Sequence, residues 1–309
     1  MDKNNVLISL CIPTNGVIKW VFPVLDSIYA DGVDETLFEV VLTDNGDNAE
    51  FFALMSEYAQ KHSNLKYIKT QAFEFLNEIE AYKNADGKFI KFINHRTLLN
   101  KGTLNYLINF VIENQAEKPE VYFLNGEIKK KEKVGVYETF DEYVKELSYY
   151  SSWSTGMGFW KETFEKIDIK SGFNTLFPHT GILFFNRKAK KYIIDNSVLL
   201  TELPTGKVSK GKYNLFNAFA VEYLYILLNL YHDGDISEAC FLSVKKDNLK
   251  FVKMLYCDYI FLRKKCSYNL SGYKSSLNVF YTVRQVKRGM IFLVIKKSLR
   301  KIKRLFLGR

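Results

Sequence analysis

Apolar and polar positions alternate in blocks along the first 125 residues rather than residue by residue. Residues 6–12 are β-branched and apolar on both faces, as in a strand buried in a parallel sheet. The polar turn Pro13-Thr14-Asn15-Gly16 follows, then a helical spacing over residues 19–29 that Pro23 would kink. Residues 38–42 form a second apolar strand, ended by Thr43-Asp44-Asn45-Gly46-Asp47-Asn48. The pattern then predicts a helix over 49–62, a strand over 65–68, a helix over 78–84 and a strand over 88–93 closed by Asn94-His95-Arg96. An amphipathic helix over 103–113 and a strand over 121–124 complete the series. Strands alternating with such helices predict an α/β fold, a Rossmann-like, mostly parallel sheet flanked by helices.

Beyond residue 130 the pattern loosens. It predicts helices over 137–149 and 159–167 around a small-residue loop at 151–158, and a further sheet strand over 180–185. Residues 203–213 carry one Pro, two Gly and three Lys and read as a mobile loop. An apolar helix over 215–231 ends in the turn Asp233-Gly234-Asp235, and further helices are predicted over 248–261, 277–286 and 289–307.

Charge changes this picture. The net charge is +10 over 309 residues, but residues 241–309 hold 18 Lys/Arg against 2 Asp/Glu, which leaves residues 1–240 at a net −6. The chain therefore divides into a mildly acidic α/β domain, 1–240, and a basic helical region, 241–309. The acidic body offers no basic groove for nucleic acid. The apolar stretch at 6–12 is too short for a signal-peptide core, so the expectation is a cytoplasmic protein, and no run of 18 apolar residues offers a membrane span. The four cysteines lack CxxC spacing, which argues against a zinc or disulfide framework.

In open α/β sheets ligands bind beyond the carboxyl ends of the strands. Those ends are Pro13-Thr14-Asn15, Asp44-Asn45 and Asn94-His95-Arg96, all polar. Neither GxGxxG after the first strand nor GxxxxGK[ST] is present, so dinucleotide and P-loop chemistry find no support.

Three segments in order carry a resemblance: residues 6–14 ending in Pro-Thr, residues 38–45 ending in Thr-Asp-Asn, and Ala85-Asp-Gly-Lys-Phe-Ile with the later Leu98-Leu99 and Gly102-Thr-Leu104. With Gly156-Met-Gly-Phe159, this set resembles the family-2 glycosyltransferases of the GT-A fold, in particular their bacterial, abequosyltransferase-like branch. The resemblance covers residues 6–110 well and the rest weakly. It implies a GT-A fold and an inverting transfer of sugar from a nucleotide-sugar donor to a saccharide or lipid-linked acceptor in bacterial surface-polysaccharide synthesis.

Two departures matter. Asn15 stands where the family has Tyr, and the place of the family's Asp-x-Asp reads Asn94-His95-Arg96, without a carboxylate. That motif would hold Mn²⁺ or Mg²⁺, which favour carboxylate oxygens; an imidazole beside a guanidinium is a poor site, so no metal ligand is assigned. The resemblance puts Asp44 near the base or ribose, the alternative being a helix cap, and lines the same pocket with Pro13, Thr14, Asn15, Asn45 and Asn94, of which Thr14 and Asn15 are equally read as turn residues. Arg96, helped by His95, would replace the missing ion at the diphosphate; otherwise it is a surface charge on an inactive site. Lys207, Lys210 and Lys212 are either phosphate contacts or a solvated basic loop. His179 is the candidate acceptor base, with a structural histidine as the alternative. Glu222, Asp233 and Asp235 have weaker claims to that role.

In the last segment Ile291, Ile295, Leu299, Ile302 and Phe306 lie on one helical face, flanked by Lys296, Lys297, Arg300, Lys301, Lys303 and Arg304. A basic amphipathic helix of this kind is suited to an anionic membrane surface, which would make the protein peripheral on the inner face of the plasma membrane. The other reading is a helix packed on the main domain. The competing functions are a catalytically silent sugar-nucleotide-binding or scaffold protein of a polysaccharide assembly complex, and a nucleotidyltransferase. The latter would want a Gly-rich basic signature that Thr14-Asn15-Gly16 does not supply.

Overall fold

A computed structural model describes residues 6–128, 133–205, 211–295 and 299. The chain forms two compact units: Met1–Tyr143 with Tyr150–Pro204, and Val144–Tyr149 with Thr205–Arg309. The sequence reading set the division at residue 240; by compactness, residues 205–240 belong with the C-terminal helices.

The first unit is built on an eight-stranded sheet of order β3-β2-β1-β4-β8-β6-β9-β7. Its strands are β1 (Ile8–Thr14), β2 (Phe38–Asp44), β3 (Leu65–Lys69), β4 (Phe89–Phe92), β6 (Glu120–Phe123), β7 (Val134–Tyr137), β8 (Met157–Trp160) and β9 (Tyr192–Asp195). Only β8 and β7 pair antiparallel to their neighbours. The short strands β5 (Thr97–Leu99) and β10 (Leu200–Glu202) form a separate antiparallel pair. Helices α1 (Ile18–Tyr29), α2 (Ala49–Ala59), α3 (Asn77–Lys83), α4 (Thr103–Asn114), α6 (Lys161–Glu165) and α7 (Pro178–Leu183) lie in this unit, and α5 (Phe140–Leu147) carries the chain into the second.

Successive strand residues face opposite sides, and β1 uses both. Ile8, Leu10 and Ile12 join a core with Val21 and Leu25 of α1, Phe51 of α2 and Leu104 and Leu107 of α4. The alternate face packs on α3. Fully buried Lys91 on β4 donates to the carbonyls of Phe92, Thr155 and Met157 at 2.8–3.0 Å and so ties β4 to the turn entering β8.

Two elements differ from expectation. Phe159 and Trp160 end strand β8 instead of starting a helix, because insertion between β4 and β6 buries the whole Met-Gly-Phe-Trp segment. Residues 180–185 do not form a strand: Pro178 opens α7 at its first turn, where a preset φ and a missing N–H cost nothing.

The second unit is helical. Leu215–Asn217 (α8) runs through a π turn, Ala218–Glu222, into α9 (Tyr223–His232). The wide turn frees the Phe219 carbonyl, which buried Asn248 satisfies at 2.8 Å. The helix expected from residue 248 begins earlier, as α10 (Glu238–Leu255), capped by Ser237. That expected over 277–286 is split into α11 (Tyr273–Phe280) and α12 (Val283–Lys287), because Thr282 and Gln285 form a capping box that starts a new helix. Residues 290–295 are helical again. Among the described residues no helix is long and apolar enough to cross a membrane.

Candidate functional site

The C-terminal ends of β1, β2 and β4 lie side by side in the first unit. Thr14 is level with Asp44 across the β1–β2 pair, and Pro13 with Thr43. Gly46 lies so close to β1 that a Cβ there would collide with the Asn15 carbonyl, so only glycine lets the two turns meet. Asn77, at the start of α3, donates through Nδ2 to the carbonyls of Thr14 (3.2 Å) and Thr43 (2.9 Å) and pins the strand ends from behind.

The Thr14 hydroxyl accepts the Gly16 N–H at 3.1 Å and lies 2.8 Å from His95 Nδ1. The Thr14 contact engages Nδ1 in either tautomer of the ring. Burial, and secondly the Arg96 charge, lower the His95 pKa to about 4. His95 is therefore neutral near pH 7. It brings no positive charge to a diphosphate.

Asp44 is enclosed, its side chain 1% exposed. One carboxylate oxygen accepts the Gly46 N–H at 2.8 Å; the other accepts the Tyr67 hydroxyl at 2.9 Å and the Lys69 ammonium at 3.0 Å. Lys69 also donates to the Gly46 carbonyl, and its side chain remains 37% exposed. What this strand end presents to solvent is thus the lysine, not the carboxylate. Asn45 turns sideways, its Nδ2 donating to the carbonyls of Ala72 and Glu74. Asn15 is exposed and Pro13 half-buried. The helix cap weighed for Asp44 is supplied by Asn48, whose Oδ1 accepts the Phe51 N–H.

Asn94 shapes its own turn, Oδ1 accepting the Arg96 N–H at 3.2 Å. Arg96 Nη1 donates to the Leu203 carbonyl (3.2 Å) and pairs with Glu202 (3.1 Å), while the Leu203 N–H bonds back to the Arg96 carbonyl. The Trp20 indole N–H donates to the Pro204 carbonyl and its ring lies 5.1 Å from that of His95. Arg96 is therefore both a half-buried cation and the anchor of the segment that leads to residues 206–210. A divalent ion does not fit these groups: the Asn94-His95-Arg96 turn offers no carboxylate, His95 Nδ1 is occupied by Thr14, and a fixed guanidinium stands beside it. Among the described residues no cluster of three His, Cys, Asp or Glu could hold a metal.

His179 sits in the first turn of α7, buried, with Nε2 3.0 Å from the Ser152 carbonyl. Its Nδ1 lies 3.5 Å from Glu78 Oε1, and neither atom has a hydrogen-bond partner. Glu78 adjoins Asn77 in sequence, so His179 belongs to the layer behind the strand ends. It makes no hydrogen bond to Thr14, Asp44, His95 or Arg96. Lys207 and Lys210 lie outside the described residues; Lys212, exposed, belongs to the second unit with Glu222, Asp233 and Asp235.

Lys69, Tyr67, Asn77 and Glu202 escaped the sequence reading. Only the position of Lys69, at the end of the strand beside β2, offered a signal.

No family model matches the chain, and no curated sequence does. The fold is nevertheless shared with solved glycosyltransferase structures. S. aureus TarS 1–349 in complex with UDP-GlcNAc aligns with a TM-score of 0.59 at 17% identity, over 91% of this chain and 82% of that one. The same protein in complex with UDP aligns with a TM-score of 0.55 at 17% identity, over 84% and 76%. A mannosyltransferase from Pyrobaculum calidifontis, in complex with GDP-Man and Mn²⁺, aligns with a TM-score of 0.51 at 13% identity, over 92% and 86%. Against a longer S. aureus TarS structure the chain spans 44% of that protein's length. The central sheet, its flanking helices and these neighbours define a GT-A fold with C-terminal helices appended.

Proposed function

We propose that this chain is a glycosyltransferase that moves a sugar from a nucleoside-diphosphate donor to a saccharide or lipid-linked acceptor, with inversion at the anomeric carbon, in bacterial surface-polysaccharide synthesis. The observation that carries the reading is the gathering of Thr14, the Lys69–Asp44 pair, His95 and Arg96 at adjacent strand ends, in a fold whose neighbours were solved with UDP-GlcNAc and GDP-Man.

Glycosyl transfer passes through an oxocarbenium-like state while the leaving diphosphate gains negative charge. Arg96 supplies fixed positive charge to that diphosphate, and neutral His95 supplies a hydrogen bond. The acceptor oxygen bonds to the anomeric carbon as the bond to the diphosphate breaks, and the acceptor proton leaves to water, because His179, the expected base, is buried behind the strand ends with Nε2 on the Ser152 carbonyl.

The C-terminal segment supports a peripheral position on an anionic membrane, on the cytoplasmic side. Ile291, Phe292, Ile295 and Leu299 are all more than half exposed, so the apolar stripe has no cover from the described residues of the second unit. The basic residues from 296 onward that flank it in sequence, with Ile302 and Phe306, lie outside the described residues.

The second reading, a silent sugar-nucleotide-binding protein, draws on Glu202, which already engages Arg96. Incubation with UDP-GlcNAc or GDP-mannose, with a bacterial lipid or glycan extract as acceptor and with or without EDTA, separates the two. Acceptor-dependent release of UDP or GDP supports the enzyme; nucleotide binding without release supports the silent protein.

A further inference from the structure

The loop joining β3 to α3 is stapled throughout. The Thr70 N–H donates to the Asp44 carbonyl at 3.0 Å, and its hydroxyl donates to Asn77 Oδ1 at 2.7 Å. At the crest, Asn45 Nδ2 reaches the carbonyls of Ala72 (2.9 Å) and Glu74 (3.4 Å), the two that bracket Phe73. Glu74 has a left-handed φ of 42°, which non-glycine residues keep only where their surroundings enforce it. The product of this scaffold is an exposed ring. Phe73 is 66% exposed and has no ring partner among the described residues, whereas nearby Phe51 and Phe52 both pack on Tyr67. A lone exposed phenylalanine is ordinary on a protein surface. Here the backbone on both sides of the ring is held by Asn45, the residue that follows Asp44, at the strand end where Lys69 faces solvent.

We infer that Phe73 is the platform on which the donor's nucleobase stacks, with the remaining N–H of the Lys69 ammonium directed at a carbonyl on the edge of the base. Asn45 is then a positioning residue for this platform rather than a nucleotide contact. The inference rests on the donor reading above. It places base selection on a loop that no strand-end motif covers, and it favours bases that bear a carbonyl group, such as uracil and guanine, over adenine.

The test is calorimetric titration of wild type, Phe73→Ala and Phe73→Leu with UDP, GDP, ADP and inorganic pyrophosphate. An aromatic platform under one base is worth roughly tenfold to a hundredfold in affinity. Both variants should lose that factor for the better of UDP and GDP, bind pyrophosphate as wild type does, and keep the wild-type circular dichroism. ADP should bind wild type more weakly than the better of UDP and GDP. Wild-type binding of UDP or GDP that Phe73→Ala leaves unchanged overturns the platform alone, as does an equal loss for pyrophosphate. Wild type that binds none of the nucleotides overturns the donor reading and the platform with it.

Discussion

Replacing Lys69 by Met separates a buried carboxylate from its counter-charge, and the cost can be worked from the contacts. Asp44 accepts three hydrogen bonds, and Lys69 contributes the only charged one of the three. Breaking a fully buried ion pair by removing one partner costs about 3–5 kcal/mol. Lys69 is 37% exposed, so water screens one side of the pair, and the Gly46 and Tyr67 donors remain. The expected loss for Lys69→Met is therefore about 2 kcal/mol, or a fall in Tm of roughly 3 °C for a chain of this size. Asp44→Asn leaves a half-solvated ammonium that keeps the Gly46 carbonyl but loses its counter-charge, and should cost less, about 1 kcal/mol. The double variant removes both charges, so its loss should fall short of the sum by about 1 kcal/mol. Urea denaturation of all four proteins, followed by circular dichroism, closes the cycle. Losses that add to within about 0.5 kcal/mol would show that the two groups do not interact, and the view of Lys69 as the buried carboxylate's cap would fail.

Arg96→Ala should weaken the better-binding nucleoside diphosphate at least tenfold, the loss of one charge-assisted, two-pronged contact, and Arg96→Lys should recover little of it; wild-type affinity in either variant removes Arg96 from the donor site. His95 sets a pH dependence, because its folded pKa of about 4 lies below the unfolded value of about 6.5. Between those values the unfolded chain binds the extra proton, so stability falls by up to about 3 kcal/mol as pH drops from 6.5 to 4 and is unaffected by this group above 6.5. His95→Gln should flatten that limb of the urea-midpoint profile, and a profile identical to wild type would contradict it. Removing residues 289–309 should release the protein from vesicles rich in anionic lipid, and undiminished sedimentation with them would assign the segment a structural role.

The long apolar strands β1, β2 and β4 were legible because burial on both faces leaves a continuous apolar run, and the polar residues that end them marked the site. What escaped were elements set by tertiary contacts. β5 and β10 are three residues each and exist through pairing with one another across a hundred positions of sequence. β8 is a strand because β4 and β6 hold it between them. The apolar run at 180–185 read as a strand, but Pro178 opens a helix through it. Within the candidate site, Thr14, His95 and Arg96 were singled out from their place after strands. The enclosure of Asp44 was not, since it depends on register: Lys69 meets Asp44 because β3 pairs with β2 in parallel at that level, 25 residues downstream. Ile291, Ile295 and Leu299 of the expected apolar face are exposed, as is Phe292 beside it.

The central claim is that this fold holds a nucleotide-sugar diphosphate with a guanidinium and a neutral imidazole where a metal site would be expected. Calorimetric binding of UDP, GDP, CDP and dTDP, each in Mn²⁺ and in EDTA, tests it most directly. One of the four should bind, with an affinity that survives EDTA. Binding that appears only with Mn²⁺ would contradict the role given to Arg96 and His95, and binding of none would contradict the donor site itself.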